Sequence, residues 1–224
     1  MNGPASPGSV LLEAIDLQCE RGHRRLFEAL SFRVQASQCM HIVGDNGAGK
    51  TSLLRILCGL LQPTAGEVRW SGRQIRQARD EYGADLVYVG HLNGVKDDLT
   101  AAENLRAWAA IAGLGVGGET IGQALELLAI DRFAHWRAAQ LSQGQKRRIA
   151  LARLTLAPAA RVWILDEPFT ALDWRGVEIL NRLIERHIGK GGAVVLTTHQ
   201  AWQPPVSVTR LQLGSEAAVA VPPG

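Results

Sequence analysis

The sequence predicts an α/β protein with a mostly parallel sheet, on three observations. Residues 162–165 and 193–198 are apolar runs of strand length, and the segment between them places Val177, Leu180, Leu183, Ile184 and His187 on one side of a helix. A third apolar run, 40–43, leads into a glycine-rich turn that opens another helical segment. The chain has 224 residues, 46% of them apolar, enough for a sizeable core in one folding unit.

In chain order, residues 11–18 and 31–34 read as strands flanking the turn Glu20-Arg21-Gly22-His23, and 51–60 has helical character after the strand 40–43. Residues 67–70 and 86–89 suit strands, with Ser71-Gly72 turning the chain after the first. Thr100-Ala101-Ala102-Glu103 has capping-box spacing, and Leu105, Trp108, Ile111 and Ala112 fall on one face of the helix it starts. Glycines at 113, 115, 117 and 118 break that helix, and helical spacing resumes over 121–130. Ser142 can then cap a third helix running toward Leu156, before Pro158. The expected organisation is one domain over 10–213 with a helical lobe inserted near 92–145, a disordered tail at 1–9 and a C-terminal tail at 214–224.

Several classes are excluded by composition. The 24 Lys and Arg against 21 Asp and Glu leave a net +3 without any block of five like charges, so no nucleic-acid surface is expected. Cys19, Cys39 and Cys58 are an odd set without CxxC spacing, which reads as buried thiols in a reducing compartment rather than a disulfide frame or a zinc site. No window reaches the roughly 18 to 20 apolar residues of a membrane span, and the first residues lack the basic and apolar regions of a signal peptide. A cytoplasmic protein that does not cross a membrane alone is expected.

The residues that carry chemistry begin at the glycine-rich turn. Gly44-Asp45-Asn46-Gly47-Ala48-Gly49-Lys50-Thr51 fits GxxxxGK[ST], between an apolar strand and a helix. Its glycines let successive N–H groups face phosphates, Lys50 supplies a cation and Thr51 an oxygen for Mg²⁺; Ser52 completes the phosphate-binding set. The strand 162–165 ends in two adjacent carboxylates, which strand alternation points differently. Asp166 would hold Mg²⁺ directly or through water, and Glu167 can take a proton from the water that attacks the γ-phosphate.

Leu141-Ser142-Gln143-Gly144-Gln145 follows, then Asp166-Glu167-Pro168, Ala171-Leu172-Asp173 and a lone His199 after an apolar strand. In this order, these motifs resemble the ATP-binding cassette family over nearly all of 10–213. The resemblance implies the cassette fold, with an antiparallel β subdomain at the N-terminus and the helical subdomain inserted. It also implies MgATP as substrate and a homodimer in which Ser142 and Gly144 meet the ATP held by the partner copy. Asp173 would sit at the dimer seam, and His199 would hydrogen-bond the γ-phosphate and keep Glu167 and water in place; 32 residues between Glu167 and His199 leave room for one helix and a return strand.

The pattern departs from the family at three places. Where members carry an aromatic residue that stacks on adenine, this chain has Arg21, either a guanidinium stacked on the base or a solvated turn residue. Where they carry Gln after the strand 86–89, it has His91, either a ring nitrogen for the metal or an exposed loop residue. Gln143 stands for the commoner Gly, on the exposed side. Together with Asp98-Leu99-Thr100-Ala101-Ala102-Glu103-Asn104-Leu105, these features resemble the ATP-binding subunits of bacterial cytochrome c maturation, the haem-exporter type. That implies separate multi-spanning membrane subunits and a place on the cytoplasmic face of the inner membrane. The alternatives are the ATPase subunit of another small-substrate exporter, a soluble non-transport cassette ATPase, or a regulator that barely hydrolyses ATP.

Overall fold

Long alternating strands open the chain. In the computed structural model, which describes residues 8–22, 24–214 and 220–221, β1 (Val10–Arg21) pairs antiparallel with β2 (Arg24–Gln35). The β1 strand bulges at Asp16, whose φ of 47° lets Ala14 and Leu17 both face inward. After β3 (Cys39–Val43) and α1 (Lys50–Leu57), β4 (Ala65–Trp70) returns to the other edge of β1, and β5 (Arg73–Gln74) extends that antiparallel sheet to the order β2-β1-β4-β5.

The second sheet is parallel through its centre. After α2 (Arg79–Ala84) come β6 (Leu86–Val89), the helices α3 (Ala101–Ile111), α4 (Gly118–Leu127) and α5 (Gln143–Leu156), then β7 (Val162–Asp166), α6 (Trp174–Gly189), β8 (Ala193–Thr197), β9 (Val208–Gln212) and β10 (Ala220–Val221). The strand order is β10-β9-β3-β8-β7-β6, antiparallel only between β9 and β10. Alternation along the central strands feeds two cores. Met40, Ile42, Val162, Ile164 and Val195 face α1 and the antiparallel sheet, whereas Val87, Val89, Trp163, Leu165, Val194 and Leu196 face α3 to α6. Buried Asp85 accepts from Trp70 Nε1 (2.6 Å) and from Arg161 Nη2 (2.8 Å), tying β4 to the start of β7.

Several expectations shift here. The helix expected over 51–60 ends at Leu57, and the strands at 11–18 and 31–34 are longer, so Glu20 and Arg21 belong to β1 rather than to the turn. On α3 the buried face is Ala101, Ala102, Leu105 and Ala109; Ile111, at 89% exposed, and Ala112 point outward, because the helix ends there and its buried stripe has rotated past them. The segments β5, α2, β9 and β10 were not expected. In β10, residues 220–221 pair with β9, within the stretch expected as a tail. The tail expected at 1–9 lies outside the described residues over 1–7, as does that at 214–224 over 215–219 and 222–224.

Where Trp163 meets α6, His187 stacks on its ring at 3.8 Å and 10°. Burial lowers the His187 pKa from 6.5 to about 4. The unfolded chain therefore takes up a proton near pH 6.5 that the folded protein refuses until about pH 4. Stability should fall over that window by on the order of 3 kcal/mol. Thermal melts across pH 7 to 4 check this: His187→Phe should flatten the acid slope, and an unchanged slope would assign it to other groups.

Candidate nucleotide site

The C-terminal ends of β3, β6, β7 and β8 lie side by side, the usual ligand position in an open α/β sheet. The loop after β3 is the glycine-rich turn. Gly49 has a φ of 99°, and a Cβ there would lie 3.0 Å from Leu26 Cβ, so the turn into α1 needs glycine twice over. The first turn of α1 has no side-chain cap and no acidic residue, leaving its N–H groups and positive end to an anion. Lys50, 9% exposed, folds back so that Nζ donates to the carbonyls of Gly44 (2.7 Å) and Asp45 (3.0 Å).

These elements bound an open cavity of about 580 Å³, lined by Arg21, Asn46, Gly47, Gly49, Lys50, Thr51, Ser52, His91, Asp166, Glu167 and His199, together with Arg24 and Leu26. The candidate residues from five separate stretches of sequence thus share one space. Asp166 is 2% exposed. Its Oδ1 accepts from the Thr197 hydroxyl (2.8 Å), and its Oδ2 is buried without a partner among the described residues. A lone carboxylate oxygen in the same cavity as the Thr51 hydroxyl is an oxygen donor set suited to Mg²⁺.

Glu167, on the next residue, has left-handed backbone, φ 50°. Its N–H donates to Thr197 Oγ1 (3.0 Å), and its Oε2 accepts from the His199 N–H (3.1 Å). His199 Nε2 lies 3.6 Å from Oε1, so both the backbone and the ring of His199 face the carboxylate. Behind it is Arg147 of α5, 2% exposed and absent from the sequence-based candidates, whose guanidinium donates to the carbonyls of Asp166 (2.9 Å) and Glu167 (2.8 Å).

The Ser142 motif lies elsewhere. Ser142 caps α5 in a reciprocal box with Gln145, at 3.2 and 2.8 Å. With Gly144, Gln145, Arg148, Asp173 and Arg175 it lines a second cavity of about 530 Å³. A Cβ on Gly144 would lie 2.5 Å from the Ala171 carbonyl oxygen, so glycine permits α5 to approach the loop before α6. Asp173 caps α6 through the Gly176 N–H (2.7 Å) and pairs with Arg148 Nη2 (2.6 Å); the first of these, then the arginine, lowers its pKa. Leu141 is buried and Gln143 exposed outside this lining. Within one chain, then, the phosphate cradle and the serine-capped helix end open into different cavities.

Sequence reasoning missed Arg24, Leu26, Arg147, Arg148 and Thr197. Only Thr197 left a trace, within the run 193–198 that the structure pairs with the carboxylate strand.

A family model described as ABC transporter matches residues 27–170. The chain is 47% identical over 203 residues to the cytochrome c biogenesis ATP-binding export protein CcmA of Nitrosospira multiformis, covering 90% of this chain and 98% of that one. It is 50% identical over 190 residues to the protein of that name from Pseudomonas aeruginosa, covering 85% and 93%. A solved structure of an ATP-binding subunit of an ABC transporter superposes with a TM-score of 0.79 at 24% identity, over 94% of this chain and 90% of its own. A dimeric post-hydrolysis state of an ATP-binding cassette bound to ADP and Pi gives 0.77 at 22%, over 94% and 98%. Those two likenesses establish the fold. Membership follows from the curated relatives and the family model together: the chain belongs to the ABC transporter family and, within it, to the cytochrome c biogenesis ATP-binding export proteins.

Proposed function

We propose that this chain is the ATP-hydrolysing subunit of a haem-exporter-type complex, peripheral on the cytoplasmic face of the bacterial inner membrane, where it drives separate multi-spanning subunits. Two copies close around two ATP molecules, each gripped between the cradle of one copy and the Ser142 end of α5 in the other. The observation that carries this is the separation of the two halves: Lys50, Thr51, Asp166, Glu167 and His199 share one cavity, and Ser142 opens into another. Among the described residues no helix is long and apolar enough to cross a membrane, in keeping with partners that supply the span.

In this mechanism the α1 N–H groups and Lys50 hold the phosphates, and Thr51 and Asp166 would hold Mg²⁺. When bound, the metal supplies positive charge beside the β- and γ-phosphates. Glu167 accepts the proton of the attacking water, and the His199 N–H holds the Glu167 carboxylate while its ring faces it. His91 and Arg21 line the same cavity, within which the one would offer a ring nitrogen to the metal and the other a guanidinium to the base.

Phosphate release by the detergent-purified complex of this chain with its membrane partners tests the reading. Turnover should depend on Mg²⁺ and on the membrane subunits, and the chain should fractionate with membranes. Fractionation with ribosomes, with turnover indifferent to membrane partners, would favour a soluble cassette ATPase instead.

A further inference from the structure

Two arginines of α5, Arg147 and Arg153, are buried at 2% and 8% exposure without a carboxylate ion pair among the described residues. Burial lowers both pKa values to about 10, yet both stay charged at neutral pH. Each guanidinium donates to backbone carbonyls instead. Arg147 Nη1 reaches Gly90 O (2.8 Å) and Asn93 Oδ1 (3.1 Å), Nη2 reaches Asp166 O and Glu167 O, and Nε reaches Pro168 O (3.2 Å). Arg153 Nη2 reaches Gly94 O (2.7 Å). One helix therefore clamps both ends of the loop 90–94, with exposed His91 and Leu92 between them, and one guanidinium joins that loop to three successive carbonyls at the end of β7.

Stability alone does not call for this arrangement, since a buried cation is costly and an apolar side chain could fill the space. What only arginine supplies is a rigid planar fork that fixes two backbone segments relative to each other. Glu167 is where that rigidity acts, because Arg147 Nη2 holds the carbonyl of its left-handed backbone, and that backbone carries the carboxylate.

We propose that Arg147 is a positioning residue for hydrolysis: it links the loop 90–94 to the backbone that aims Glu167, so displacing the loop changes turnover and not nucleotide affinity. The proposal rests on the reading of Glu167 as the group that activates water.

Its test is a double-mutant cycle on the full chain in its membrane complex, measuring kcat, ATP affinity and melting temperature. Arg147→Lys should lower kcat about 30-fold, because an ammonium cannot bridge both segments, with ATP affinity within about threefold of wild type. Asn93→Ala should lower kcat about threefold at unchanged melting temperature, and should add nothing in the Arg147→Lys background. Additive losses, an unaltered kcat in Asn93→Ala, or affinity falling in step with kcat in Arg147→Lys would each overturn the proposal. If Arg147→Lys does not fold, kcat and affinity of Asn93→Ala decide alone. A wild-type complex that releases no phosphate defeats the reading of Glu167 and the positioning role with it; an active complex indifferent to both substitutions defeats the positioning role only.

Discussion

Glu167→Gln is expected to lower ATP turnover by roughly 10² to 10⁴-fold while MgATP remains bound. Glutamine keeps the length and one acceptor oxygen of the side chain, so the bond from the His199 N–H survives and the local backbone is unchanged. What disappears is the carboxylate, the group that can take the proton of the attacking water. Removing a negative charge beside the γ-phosphate also relieves repulsion, so ATP affinity should hold or rise. Asp166→Asn provides the contrast. It removes charge from the buried carboxylate whose Oδ2 lacks a partner, and its effect should fall on the Mg²⁺ dependence of ATP binding. Single-turnover phosphate release and equilibrium ATP binding separate the two variants. Wild-type release from Glu167→Gln would remove Glu167 from the chemistry and leave His199 as the nearest base.

How far this site was legible in advance depended on how local each feature is. The cradle is a run of eight residues whose glycines and Lys50 need only their neighbours, and the carboxylates end an apolar strand; both positions follow from short-range pattern alone. The capping boxes at Thr100 and Ser142 are equally local, and both form, each with its reciprocal hydrogen bond. Arg147 is the opposite case. In sequence it is one of several basic residues in Gln145-Lys146-Arg147-Arg148, indistinguishable from a solvated helix face, and only the packing of α5 between β6 and the α3–α4 pair turns it inward. The strand β9 failed for a related reason. Val208-Thr209-Arg210-Leu211-Gln212 mixes polar and apolar residues because one neighbour is the two-residue β10, so it never shows the continuous apolar run of β7 or β8. The misjudged face of α3 shows the limit of periodicity near a helix end: the buried stripe runs through Ala101, Ala102, Leu105 and Ala109, and Ile111 lies off it at the last turn.

Lys50→Ala should abolish measurable turnover by a different route, weakening ATP binding by about 3 kcal/mol, or roughly 100-fold in affinity. Two losses combine. The ammonium no longer faces the phosphates, and the loop loses the brace from Nζ to the carbonyls of Gly44 and Asp45, which keeps the turn closed beneath the ligand. The brace consists of two part-buried bonds from a charged group, so folding stability should fall by about 1 to 3 kcal/mol. Ligand dependence identifies which loss dominates. If the charge matters most, ATP and ADP lose affinity while adenosine, which carries no phosphate, competes as before. If the brace matters most, Lys50→Gln, whose amide can still donate to a loop carbonyl, should recover much of the affinity. Competition binding with ATP, ADP and adenosine on both variants distinguishes these outcomes, and undiminished ATP affinity in Lys50→Ala would mean that the α1 N–H groups hold the phosphates without help.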